Sequence, residues 1–179
     1  KTGYAAECYR YSDPSRFFAE FKLDMMDDNP LLLDSNITYA DLVTAVLSDI
    51  YEDIRKDNDG IPIENAVITV PIVYVKDGPR WQLMLKVARN AGFKHVELFY
   101  EPEAAAIYYQ YISGEKLDKL TLIYDLGGGT FDPALIEQTK NGGHLFRSGQ
   151  IEGLMCGGIS FDAQIYNRLA EDFPQIKDI

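Results

Sequence analysis

Asp125-Leu126-Gly127-Gly128-Gly129-Thr130-Phe131-Asp132 closes one hydrophobic run, Leu120 to Leu126, and opens another, Phe131 to Glu137. Two strand-sized runs joined by glycines predict a hairpin. Three successive residues without a Cβ let backbone N–H groups approach an anion directly. Asp125 and Asp132 add carboxylates suited to a hydrated Mg²⁺, and Thr130 adds a hydroxyl for a terminal phosphate. The metal is an electrostatic requirement, because the two acids would otherwise repel the phosphate. The competing reading is a plain glycine-rich turn with surface acids. Two other phosphate motifs do not fit, since no Gly-Lys-Ser/Thr follows and the turn does not open a helix.

Upstream of the glycines the pattern alternates between strand and helix. Thr38 with Asp41 predicts a capping box, and Leu42, Val43, Val46, Leu47, Ile50, Tyr51 and Ile54 then recur at helical spacing up to a turn at Asp57 to Gly60. Ala66 to Val70 predicts a buried strand stopped by Pro71. Pro79 opens a helix with Trp81, Met84, Leu85 and Ala88 on one stripe and Gly92 at its end. Lys94 to Tyr100 is then a strand, and Glu101-Pro102 begins a helix that runs to a turn at Gly114. Near the start of the chain, the alternation in Phe17 to Met25 predicts a half-buried strand.

Downstream, His144 to Gln150 predicts a third strand, turned around Asn141-Gly142-Gly143, and Ser160 to Asp172 a last helix with Ser160 as a candidate N-cap. Alternation thus gives way to an antiparallel meander, which places a boundary near Ser113 to Asp118.

Two further stretches carry candidate chemistry. Glu101 ends a strand just before a small-residue helix, and ligands of open α/β sheets gather at the carboxyl ends of strands. An acidic helix start that favours the macrodipole is the simpler reading. Gly157-Gly158 enters the final helix, whose N-terminus can receive a phosphate, and is equally an ordinary helix entry.

Composition narrows the classes. The 179 residues are 46% hydrophobic, enough for a core, yet no run approaches the roughly 20 apolar residues of a membrane span. A soluble protein without a membrane partner is expected. The net charge of -11, with scattered Lys and Arg, argues against a nucleic-acid partner. Cys8 and Cys156 read as unpaired thiols, and His95 and His144 are solitary. The chain begins at Lys1 without a secretory apolar core, so a piece of a longer protein is expected.

The three glycine and acid stretches, in this order, resemble the ATPase domain of the seventy-kilodalton heat-shock chaperones, the DnaK-type proteins. The likeness runs from about Ile37 to Phe173. It rests on Asn65-Ala66-Val67-Ile68-Thr69-Val70-Pro71, Ala88 to Gly92, Glu101-Pro102 with Ala104 to Ala106, Asp125 to Asp132, and Gly157-Gly158 with Phe161-Asp162. The resemblance implies an α/β fold of the actin-like ATPase (ribonuclease H-like) type, incomplete, with residues 1–115 as the later part of lobe I and residues 116–179 as the first part of lobe II.

It also implies ATP/ADP and Mg²⁺ as cofactors. Gly127, Gly128, Gly129 and Thr130 would cradle the β and γ phosphates, Asp125 would hold Mg²⁺ through water, and Gly158 would lie near the nucleotide. Glu101, Thr130 and Asp132 would be catalytic, Glu101 and Asp132 by positioning the attacking water. Pro71 and Arg80 would relay nucleotide state to a peptide-binding domain. The implied activity is hydrolysis of ATP to ADP and phosphate to control polypeptide binding, in the cytoplasm, with client polypeptides, co-chaperones and a nucleotide-exchange factor as partners of the full-length protein.

The isolated piece is expected to be inactive, and its open sheet edges could pair with a second copy. Three departures mark a divergent member: the segment between Pro71 and Arg80 is one residue longer than usual, Glu103 replaces a threonine, and Pro133 follows the glycine motif. A bacterial actin-like filament ATPase and a catalytically dead interaction module are the alternatives. Thr130-Phe131-Asp132 favours the chaperone over the filament.

Overall fold

The structure, a computed structural model, describes residues 1–31, 36–117, 119–138, 144–146 and 153–178. The chain forms two compact units. One comprises Lys1–Ile68 and Tyr74–Phe99, the other Thr69–Val73 and Tyr100–Ile179.

The first unit holds α1 (Tyr4–Glu7), α2 (Tyr39–Asp57), α3 (Pro79–Asn90) and the two-stranded sheet of β1 (Asn65–Val70) and β2 (His95–Tyr100), whose β1 ends just inside the second unit. The predicted capping box is present. The Thr38 hydroxyl accepts from the Asp41 N–H at 3.4 Å, and the Asp41 carboxylate accepts from the Thr38 N–H at 2.9 Å. Replacing Thr38 with Ala removes both the cap acceptor and the clamp on Asp41, and should cost about 1 kcal/mol in urea unfolding.

α2 packs against α3, and Tyr51 stands edge-on to Phe93 with ring centroids 5.1 Å apart. Gly92 makes that approach possible: its φ is +119°, and a Cβ there would lie 3.1 Å from the Tyr51 ring. Ile50 and Ile54, assigned by spacing to the same apolar face, are exposed. On α3 the buried stripe is Trp81, Met84, Val87 and Ala88, as spaced for a helix, while Leu85 is half-buried.

Phe17 to Met25 is not a strand. Its backbone closes turns, with the Asp24 N–H on the Phe21 carbonyl and the Asp27 N–H on the Asp24 carbonyl, and the Tyr74 hydroxyl donates to the Lys22 carbonyl. Alternation makes a strand only where a neighbouring strand can take the backbone groups, and among the described residues β1 and β2 pair only with each other.

Lys94 and Glu64 form an exposed ion pair at 2.5 Å beside the starts of β2 and β1. The hydrogen bond from Lys94, then its charge, lowers the Glu64 pKa, and the reciprocal interactions raise that of Lys94. A lowered carboxylate stabilises above its unfolded pKa and loses this as pH falls through the folded value. A raised amine stabilises below its unfolded pKa and loses this as pH rises through the folded one. The pair therefore contributes in full between the ordinary Glu and Lys ranges and fades beyond them on either side. Water screens both partners, so Glu64→Gln should lower the thermal midpoint at neutral pH by less than Thr38→Ala does, and by less still in high salt.

The second unit is built on an antiparallel sheet ordered β3-β4-β5: β3 (Leu120–Leu126), β4 (Phe131–Gln138) and β5 (His144–Phe146). The meander is as predicted, except that β5 is described only to Phe146; the Asn141 to Gly143 turn and residues 147–150 lie outside the described residues. Register runs unbroken from Leu120↔Glu137 to Leu126↔Phe131. α4 (Glu101–Ser113) lies on β3 and β4 and buries Pro102 and Ala106, one helical turn apart. Ala106, Leu117 and Ile136 form a core cluster with Ile123 against it. Small residues on that face of α4 let the helix approach the sheet closely. Gly114 ends α4 in the left-handed conformation, φ 68°.

Pro133 sits within β4 without breaking it. Antiparallel pairs alternate between hydrogen-bonded and not, and the Gly127 N–H to Thr130 carbonyl bond fixes the phase. Position 133 then points its missing N–H away from β3, where among the described residues nothing pairs between the Phe131–Leu154 bridge and the first β5 pair at Ile136. α5 (Gly158–Asp172) completes the unit. No helix among the described residues is long and apolar enough to cross a membrane.

Candidate functional site

The β3–β4 hairpin closes through the Gly127 N–H on the Thr130 carbonyl at 2.9 Å, which puts Gly128 and Gly129 at its tip. The start of α5 sits on this loop. The Gly158 N–H donates to the Gly127 carbonyl at 3.0 Å, and the Ile159 N–H to the Gly128 carbonyl at 2.8 Å. Those are two of the donors that a helix leaves unpaired in its first turn. They are occupied here by the loop, so these two donors face Gly127 and Gly128 rather than an incoming phosphate. Ser160 stands at N3, not at the N-cap. Gly157 is the cap residue, and its N–H reaches the Ser160 hydroxyl at 3.4 Å.

The contact explains the glycine pair. A Cβ on Gly157 would meet the Gly127 carbonyl oxygen at 2.5 Å and the Gly128 carbonyl oxygen at 2.6 Å. Sequence reading favoured Gly158, yet Gly157 carries the steric demand.

It also orients the loop. In a trans peptide plane the C=O and N–H point in opposite directions, and every described peptide is trans. With the Gly127 and Gly128 carbonyls turned to α5, the N–H groups of Gly128 and Gly129 face away from it. Two successive amides turned away from the helix in this way are donors suited to an anion. A Cβ on Gly128 would touch nothing within 4 Å and its φ is not positive, so neither packing nor backbone strain explains glycine there.

Asp125 and Asp132 are cross-strand partners. Asp125 is half-exposed, whereas Asp132 is 1% exposed and its Oδ1 accepts the Ile72 N–H at 2.7 Å. Like charges directly opposite on one face cost stability, so the pair suits a nearby cation. The described residues hold no group of three or more His, Cys, Asp or Glu that could ligate a metal directly. This donor set fits a Mg²⁺ held mainly by phosphate and water, with Asp125 as an outer ligand.

Thr130 is buried beside the loop, and Glu101 stands at the first position of α4 in the same unit. Pro71 is fully buried in this unit at the end of β1, whereas Arg80 belongs to the other unit. Between them the chain makes a Val75–Gly78 turn, closed by the Gly78 N–H on the Val75 carbonyl, with Asp77 at φ 61°.

No sequence pattern marks Ile72, since its contribution to Asp132 is a backbone N–H. Gly153 also carries a steric demand: a Cβ there would lie 2.6 Å from Ile72 Cγ1. Its signal, a glycine just after a strand-like run, is too common to read.

A family model described as Hsp70 protein matches residues 24–179. This chain belongs to the Hsp70 family. The match extends the likeness at both ends of the Ile37 to Phe173 span. Among curated relatives, the Chaperone protein DnaK of Thermoplasma volcanium is 38% identical over 135 residues, covering 73% of this chain and 21% of that protein. The Hsp70-family chain thus spans about a fifth of the length of that relative.

Proposed function

We propose that this Hsp70-family chain is part of the nucleotide-binding domain of a chaperone ATPase with the actin-like fold, residues 1–115 from lobe I and 116–179 from lobe II. The observation that carries this is the outward-facing Gly128 and Gly129 N–H pair, fixed from behind by α5 and flanked by Asp125, Thr130 and Asp132. The amides would receive phosphate oxygens of ATP. Asp125 would hold hydrated Mg²⁺, whose chemistry is to neutralise charge on the transferring phosphoryl group. Thr130 offers its hydroxyl to the terminal phosphate, while Glu101 and Asp132 orient water. Catalysis of this kind rests on positioning and charge stabilisation. Pro71, adjacent to the Ile72 N–H that holds Asp132, and Arg80 would carry the relay toward a peptide-binding domain. Client polypeptides, co-chaperones and an exchange factor would be partners of the whole protein in the cytoplasm.

Calorimetry of Mg²⁺·ATP into the 179-residue chain tests the division of the cleft. Binding should be undetectable at micromolar protein, because this piece supplies one side of a phosphate site. In the complete ATPase domain, Thr130→Ala should slow hydrolysis about a hundredfold while the domain still folds. Turnover unchanged by that substitution would remove Thr130 from the mechanism.

A further inference from the structure

Asp132 has a neighbour on each side. Asp125 stands across from it in β3. On the other side an isolated antiparallel bridge joins Phe131 to Leu154, each N–H donating to the other's carbonyl at 2.9 Å. Continuing that register by one residue sets Gly153 opposite Asp132, and opposite residues direct their side chains to the same face. A side chain at 153 would therefore stand beside the Asp132 carboxylate.

Ile72 and Val73 occupy that place instead. A Cβ on Gly153 would lie 2.6 Å from Ile72 Cγ1, 3.1 Å from Ile72 Cδ1 and 3.0 Å from Val73 Cγ1. The φ of Gly153 is not positive, so the close contact, and not backbone strain, is what asks for glycine. Ile72 rests on this bare position, and its N–H reaches Oδ1 of the buried Asp132 at 2.7 Å. Gly153, Ile72 and Asp132 all belong to the second unit.

We propose that Gly153 is a positioning residue for Asp132: by carrying no side chain it seats Ile72 against β4, and the seated N–H sets the direction of the carboxylate. This role rests on the reading of Asp132 as a group that orients water, and adds the residue that aims it. An added methyl meets two β-branched side chains at once. Turning one aside leaves the other in contact, so part of the relief comes from the backbone that carries the Ile72 N–H. The opposite side is firmer, because Leu154 is held to Phe131, and Gly158 and Ile159 to the glycine loop. The carboxylate then loses its donor and its direction. The Gly128 and Gly129 amides keep theirs, since the α5 hydrogen bonds that orient them are left in place.

In the full-length protein, Gly153→Ala should lower kcat for ATP hydrolysis about tenfold and leave the dissociation constant for ATP within about twofold of its unmodified value. A merely structural defect would instead reduce the number of sites that titrate with ATP and leave turnover per site unchanged. Hydrogen exchange should show the Ile72 amide about tenfold less protected in the variant, with the Phe131 and Leu154 amides protected as before. Adding Ile72→Ala to Gly153→Ala removes the nearest clashing atom but keeps the N–H, and should restore most of the turnover. Adding Gly153→Ala to Asp132→Asn should slow turnover no further, because the two act through one carboxylate. Full turnover per site in Gly153→Ala overturns the proposal, as does undiminished protection of the Ile72 amide. So does a Gly153→Ala protein that fails to fold even with Ile72→Ala. Slow Asp132→Asn beside normal Gly153→Ala removes this role alone, whereas full turnover in Asp132→Asn removes the reading of Asp132 and this role with it.

Discussion

Gly157→Ala should lower the unfolding free energy by about 3 kcal/mol, the largest effect of any alanine substitution at the glycine site. The added Cβ would stand 2.5 to 2.7 Å from backbone atoms of Gly127 and Gly128, which cannot rotate aside as a side chain can. Relief requires α5 to back away. That movement breaks the Gly158 and Ile159 hydrogen bonds, each worth about 1 kcal/mol, on top of the overpacking strain. Gly153→Ala is the comparison, since its close neighbours are the Cγ1 atoms of Ile72 and Val73, stiff β-branched side chains that yield only by changing rotamer; a loss of about 1 to 2 kcal/mol is expected.

Gly128→Ala completes the series with the opposite signature. The new methyl meets nothing within 4 Å, so stability should stay within about 0.5 kcal/mol. In the complete ATPase domain, however, the methyl would stand where phosphate oxygens approach the amides, and nucleotide affinity should fall at least tenfold. Urea unfolding and calorimetry on the three variants separate a glycine kept for packing from one kept for binding. Equal destabilisation by Gly128→Ala and Gly157→Ala would defeat that distinction.

Asp132→Ala should cost about 2 to 3 kcal/mol. It removes the acceptor at 2.7 Å from the Ile72 N–H and strands a buried donor. Asp132→Asn keeps a carbonyl oxygen for that N–H and should recover most of the loss. If the carboxylate also orients water, the asparagine variant of the complete domain should fold well yet turn over at least tenfold more slowly. Full turnover in Asp132→Asn would leave Asp132 a structural role alone, as the residue that anchors the end of β1 to β4.

The acids and glycines at the hairpin were legible because their chemistry is local. A glycine run between two hydrophobic runs specifies a hairpin by spacing, and Thr38 with Asp41 specifies a helix start within four residues. The helix around Trp81 was legible from the 3.6-residue period, and the one around Ala106 from Glu101-Pro102 at its start and Gly114 at its end. Phe17 to Met25 misled because alternation states only which faces a strand would have, and the neighbour that makes a strand stable lies elsewhere in the chain.

Tertiary structure alone decided which glycine matters and where the loop amides point. The Gly157 contact joins residues 29 and 30 positions apart, and the Ile72 to Asp132 bond spans 60. The first is made by backbone atoms and the second by a backbone N–H on a carboxylate, and the backbone partners are groups that every residue carries alike. A sequence records the side chains that can do chemistry, but backbone donors and acceptors acquire direction only when distant segments pack. Here α5 fixes the loop carbonyls on one side and so turns the paired N–H groups to the other.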